Sequence, residues 1–115
     1  MQFTIMGKEL VWFGDFHNEK NPQNEFDKFK KYKNKLSKND IIKHISNLKY
    51  SINLNEVIVY DMFNGNRICV DGSYKDEQFR IAKEFLSYLE HYDIGIPYEY
   101  EEYLINEYGL KPKEN

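Results

Sequence analysis

Between Glu56 and Asp71 the chain carries two β-rich runs, Val57-Ile58-Val59-Tyr60 and Ile68-Cys69-Val70, around Asn64-Gly65-Asn66. Asn and Gly tolerate the positive φ of a type I′ turn, so the stretch reads as a β-hairpin. A two-residue turn at Asn64-Gly65 or Gly65-Asn66 places Val57, Val59, Phe63, Ile68 and Val70 on one face; a three-residue loop flips one strand against the other. Asp61 falls on that face near the turn, where it is expected to reach solvent.

The hairpin is expected to pack against the helix that follows. Ser73 or Asp76 can cap a helix running over 76–92, in which Phe79, Ala82, Phe85, Leu86, Leu89 and Tyr92 form a wide apolar stripe. Glu77, Arg80, Glu84 and Ser87 form the opposite, solvated face, with Arg80 and Glu84 as an i,i+4 pair. Gly95 stops this segment, and Pro97 suits the first turn of a last helix over Tyr98–Tyr108. That helix is expected to bury Tyr100, Leu104 and Tyr108 and to expose Glu99, Glu102 and Asn106. Gly109 and Pro112 end it, leaving 111–115 as a flexible tail.

The first half has the same order of elements. Phe3 and Ile5 alternate with Gln2 and Thr4, Gly7-Lys8 offers a turn, and Leu10–Phe13 is a second strand-like run. Asp15 to Asn24 is polar, contains Pro22 and reads as loop. Phe26, Phe29, Tyr32 (or Lys33) and Leu36 then recur at helical spacing behind Asn24 as N-cap. Ser37-Lys38-Asn39-Asp40 interrupts the pattern, and Asn39 or Asp40 can cap a second helix through Ile41, Ile42, Ile45 and Leu48. The order ββααββαα, with strands and helices in separate runs, predicts an α+β fold: a small antiparallel sheet of two hairpins against about four helices. A chain of 115 residues makes this one domain, 1–110.

Composition removes several classes. Hydrophobic residues make up 41% of the chain, with ten Tyr and eight Phe, which is too much core material for a disordered protein. The longest uncharged apolar runs are a few residues, against the ~20 needed to span a bilayer, so no membrane is expected. Met1-Gln2-Phe3-Thr4 begins no basic and apolar leader, so a cytoplasmic location is expected. A single cysteine excludes an internal disulfide, and with three histidines it excludes the usual zinc-finger spacings.

Chemistry is sparsely signalled. Cys69 lies mid-strand, where a lone cysteine is ordinarily a small packing residue. Asp15-Phe16-His17 and His91-Tyr92-Asp93 each put an acid two residues from an imidazole, which fits metal ligands by type but follows no recognised spacing. The six glycines are isolated, so a phosphate-binding loop is absent. No catalytic residue, metal or cofactor is assigned, and an enzyme is not expected.

The net charge of −3 conceals a polarity. Residues 20–49 hold nine Lys against three acids, whereas residues 76–107 hold nine acids against Arg80 and Lys83. The same end of the chain also carries Tyr88, Tyr92, Tyr98, Tyr100, Tyr103 and, just beyond that range, Tyr108. Carboxylates steer a basic partner, and tyrosines give rigid contact area. The expected function is therefore a stoichiometric inhibitor that binds a protein with a basic surface, such as a toxin or nuclease domain. The expected contact residues are Tyr98, Glu99, Glu101, Glu102, Tyr103 and Asn106. In general character the chain is similar to the immunity proteins of secreted bacterial toxins. Its twelve Asn and many Lys suit an AT-rich bacterial or phage genome. Two alternatives stand beside this: a small metal-dependent hydrolase using His17, His44 or His91, and nucleic-acid binding through a Lys28–Lys38 helix, which the overall acidity disfavours.

Overall fold

The computed structural model describes residues 4–5, 8–54 and 57–113, and its class is α+β. Gln2, Phe3, Gly7, Glu56 and residues 114–115 lie outside the described residues. In chain order the elements are β1 (Thr4–Ile5), β2 (Lys8–Glu9), β3 (Val11–Phe13), a 3-10 turn (Phe16–Asn18), α1 (Pro22–Phe29) and α2 (Lys38–Ser46). They continue with β4 (Tyr50–Ile52), β5 (Ile58–Tyr60), β6 (Arg67–Val70), β7 (Gly72–Asp76), β8 (Phe79–Ala82), α3 (Lys83–His91) and α4 (Tyr98–Tyr108).

The central sheet has the order β3-β8-β7-β4 and is mixed, where an antiparallel sheet was expected. β1 pairs with β2, Thr4 opposite Glu9, while β3 runs parallel to β8 with Phe13 opposite Ile81. A parallel pair needs a long crossover, which residues 14–78 supply. β4 forms one edge, with Tyr50 opposite Tyr74, and it is a strand that three residues of sequence did not announce.

The expected 76–92 helix is half strand. Asp76 lies opposite Phe79 across the two-residue turn Glu77-Gln78, and β8 ends where α3 begins at Lys83. Phe79 and Ala82 match a helical step, but Phe79 and Ile81 equally match the two-residue period of a strand, and both are buried. Glu77 takes φ 52°, so this turn uses the left-handed region without a glycine to advertise it. The expected Arg80–Glu84 pair is consequently absent. Arg80 Nη1 donates to the carbonyls of Glu77 and Phe79, and Glu84 turns to the interior.

The 57–70 hairpin is present as β5 and β6, with a different register. Val59 lies opposite Cys69 and Ile58 opposite Val70, and a bulge follows Val59. Asp61 N–H donates to the Asn66 carbonyl, so the connection is the four-residue loop Met62–Gly65 rather than a two-residue turn. Asp61 is buried, in place of the solvent contact expected of it. Its Oδ1 accepts from the amides of Phe63 (2.8 Å) and Asn64 (3.2 Å), and Tyr92 Oη donates to it from the end of α3.

Cap chemistry explains the helix boundaries. Asn21, not Asn24, caps α1, with Pro22 in its first turn; Ser37 caps α2 by accepting from the Asp40 amide at 3.1 Å. α1 stops at Phe29, so Tyr32 and Leu36 reach the interior from an irregular segment. α4 runs between Pro97 and Gly109 (φ 68°), at the expected boundaries. One aromatic-rich core joins Phe13, Phe79 and Ile81 of the sheet to the buried residues of all four helices. Phe13 and Phe85 meet edge-to-face at 5.2 Å, as do Phe16 and Tyr88. Leu86 is half-buried at its margin, and Trp12 on β3 is 54% exposed.

Candidate functional site

On α4, residues 98, 102 and 106, and 99 with them, share a face because three- and four-residue steps return to the same side of a helix. Tyr98, Glu99, Glu102 and Asn106 are all exposed there. Tyr98 is nevertheless held in place: its hydroxyl donates to the Lys31 carbonyl (3.2 Å) and accepts from the Lys33 amide (3.0 Å). Its ring meets Tyr32 edge-on at 5.1 Å. Among the described residues the Lys–carboxylate ion pairs are Lys28–Glu25 and Lys30–Asp27, both within or beside α1. Glu99 and Glu102 form none, although Lys33 and Lys35 line the hollow beside Glu102.

Two of the expected contact residues face the other way. Glu101 is 5% exposed, and its Oε2 accepts from the amides of Lys35 (2.6 Å) and Leu36 (3.0 Å). It ties the segment after α1 to α4, and a carboxylate so placed cannot steer a partner from solvent. Tyr103 is half-buried, 5.1 Å from the Phe79 ring, with its hydroxyl directed to Asp76. Tyr108, expected in the core, keeps half its surface in solvent while its hydroxyl also points to Asp76.

Asp76, the last residue of β7, gathers these groups. Its buried carboxylate accepts from Tyr100 Oη (2.6 Å), Tyr108 Oη (2.8 Å), His44 Nε2 (2.9 Å) and Tyr103 Oη (3.2 Å). Burial works to raise its pKa, but the hydrogen bonds from His44, Tyr100 and Tyr108 outweigh it and hold the carboxyl below its ordinary value. Burial, and then the hydrogen bond to Asp76 and its charge, push the Tyr100 hydroxyl far above its ordinary value. One carboxylate therefore fastens α2 and α4 to the sheet. A groove of about 630 Å³ opens beside it between α2 and the end of α4, lined by Lys43, His44, Asn47, Leu48 and Tyr108 among others.

A second polar cluster forms where the 3-10 turn meets α3. His17 Nδ1 is hydrogen-bonded to Oε1 of the buried Glu84, and the His17 amide donates to Oε2 of the same carboxylate at 3.3 Å. Asp15 Oδ1 lies 3.2 Å from Nδ1, and Asp71 Oδ1 lies 3.4 Å from Nε2. Burial pushes the Glu84 carboxyl up to about 7, with His17 pulling the other way. Burial also disfavours a charged His17, yet the Glu84 charge and hydrogen bond, backed by Asp15 and Asp71, raise its pKa. Nearby Cys69 is pushed up to about 11, chiefly by burial, and stays a thiol at neutral pH.

The three histidines do not converge. His17 meets Glu84, His44 meets Asp76, and exposed His91 contacts Ser87 of its own helix. The Lys28–Lys38 segment is not one helix, because α1 ends at Phe29 and α2 begins at Lys38. Lys38 Nζ is also committed to the Tyr92 carbonyl at 2.7 Å. Asp71, Asp76 and Glu84 escape a reading of sequence, since polar residues on strands and helices are assigned to solvent by default. Only the Asp15-x-His17 spacing hinted at the second cluster.

No family model matches this sequence, and no curated protein or solved structure is significantly similar to it. No helix of the described residues is long and apolar enough to cross a membrane.

Proposed function

We propose that the protein is a stoichiometric inhibitor of the immunity-protein or antitoxin kind. In this reading it catalyses nothing and silences a toxin or nuclease domain in the cytoplasm of a bacterium by covering that domain's basic surface. The supporting observation is the outer face of α4, where Glu99 and Glu102 are exposed and form no ion pair with a lysine or arginine of the described residues. A site that binds phosphate is basic, and an acidic helix is its electrostatic complement. Tyr98 adds an aromatic anchor already immobilised by two main-chain hydrogen bonds, so little side-chain entropy is lost on docking. Asn106 extends the same face. Glu101 and Tyr103 enter as positioning residues that hold this face, not as contacts.

Affinity capture from the native cell, with identification by mass spectrometry, supplies the partner. Glu99→Lys with Glu102→Lys should then slow association and flatten its salt dependence, because solvated charges act through steering. Tyr98→Ala should speed dissociation by an amount worth roughly 1–3 kcal/mol, the range of an interface anchor. Stopped-flow association and dissociation kinetics read the two effects separately. If reversal of Lys30 and Lys31 abolishes binding while the glutamate reversals do nothing, the contact surface is the basic one and this proposal falls.

A further inference from the structure

The geometry points to a binding site for a first-row divalent cation formed by Asp15, His17 and Asp71. One ligand atom from each lies within 4.8 Å of the other two, although they come from the turn after β3 and from the β6–β7 junction. The His17 Nε2 to Asp71 Oδ1 separation of 3.4 Å equals the edge of a tetrahedron drawn with bonds of about 2.0–2.1 Å, the length of zinc–nitrogen and zinc–oxygen bonds. Glu84 takes Nδ1, which fixes the ring and leaves Nε2 to face Asp71. Asp15 Oδ1 lies 3.2 Å from Nδ1, so its side chain has to swing round the ring edge to join an ion held on Nε2. A buried carboxylate behind a histidine is the usual outer partner of a metal-ligating imidazole.

An ordinary buried ion pair accounts for less of this arrangement. His17 and Glu84 satisfy one another, so nothing in that pair requires two further carboxylates at the same ring. Both are held in place by amides: Asn18 Nδ2 donates to Asp15 at 2.8 and 3.0 Å, and Asn53 Nδ2 donates to Asp71 at 2.5 Å. Among the described residues no lysine or arginine pairs with any of the three carboxylates, so even a protonated His17 leaves the cluster negative. A divalent cation cancels that excess. The Asp15 side chain is about one-third exposed, which gives an ion a path from solvent and leaves room for water to complete its shell. One imidazole with two carboxylates suits Zn²⁺ or Mn²⁺ better than Mg²⁺ or Ca²⁺, which prefer oxygen alone. This site is separate from α4 and does not depend on the inhibitor reading.

The test is Zn²⁺ titrated into the chelator-treated full chain, with no partner present. Calorimetry should give one saturable site per chain, and Asp71→Asn and His17→Gln should each weaken it at least tenfold. Glu84→Gln, a positioning change, should weaken it by about 10–100-fold, the range for an outer-shell partner. Wild-type protein supplies a readout that survives any folding defect in the variants. In a long-range ¹H–¹⁵N spectrum the first equivalent of Zn²⁺ should shift the ring nitrogens of His17 while those of His44 and His91 stay in place. Absence of saturable uptake overturns the proposal, and so does a first equivalent that moves His91 or His44 instead.

Discussion

Gly14 has φ 83°, and a Cβ built on it would sit 2.5 Å from Cβ of Phe85. Both the backbone and the neighbour therefore demand glycine. Gly14→Ala should cost about 2–5 kcal/mol in urea unfolding, adding left-handed strain of ~1–2 to overpacking of ~1–3 kcal/mol. Asp76 makes a different prediction, in pH. Its folded carboxyl lies below the ordinary unfolded value of ~3.9, so its contribution is present above that value and is lost as pH falls through the folded one. Asp76→Asn should cost about 1.5–3 kcal/mol at pH 7, the scale of hydrogen bonds to a charge. The gap between wild type and variant should narrow as unfolding is measured at pH 5, 4 and 3. Such residues are the ones that sequence hides. Asp76 meets Tyr100 and His44 across 24 and 32 residues, and Glu101 and Glu84 meet their partners across 66 and 67. A helical wheel knows only neighbours three and four apart, so it sends each of these carboxylates to solvent.

At the scale of elements, legibility follows punctuation. Pro97 and Gly109 bracket α4, and both its ends were readable. The β7–β8 turn has Glu77-Gln78 where a hairpin ordinarily has Asn or Gly, and there a strand passed for the first half of a helix. Glu77 carries the cost of that choice at φ 52°. Glu77→Gly should leave stability unchanged or raise it by up to about 1 kcal/mol, because glycine enters this region freely. Glu77→Val should destabilise, since a β-branched residue fits it worst. Chemical denaturation of the two variants checks the sign as well as the size. Equal losses in both would mean that the Glu77 side chain, rather than its backbone, matters. Of the candidate site, the exposed row Tyr98, Glu99, Glu102 and Asn106 was legible from periodicity alone. The inward turn of Glu101 was not, because the amides it accepts from belong to an irregular segment.

The whole molecule is joined through its ends. β3 near the N-terminus pairs with β8, and Phe13 touches Phe29 of α1, Phe85 of α3 and Tyr100 of α4. A contact set spanning both halves makes separate unfolding of either half improbable. Phe13→Ala should cost about 3–5 kcal/mol, in keeping with loss of a buried aromatic ring. It should also lower the far-ultraviolet and near-ultraviolet circular dichroism midpoints together. Two separated midpoints would show that the halves are independent after all.

The lone tryptophan sits on this same strand, next to Phe13 but facing outward. Trp12 already views water in the native state, so its emission should shift little towards the red when the chain unfolds. The core, by contrast, is built from tyrosine and phenylalanine, whose fixed rings give the near-ultraviolet bands that vanish on melting. The two chromophore classes therefore report different events. A blue shift of the tryptophan in a titration marks something settling over β3, and a partner that docks only on α4 should leave that light unchanged.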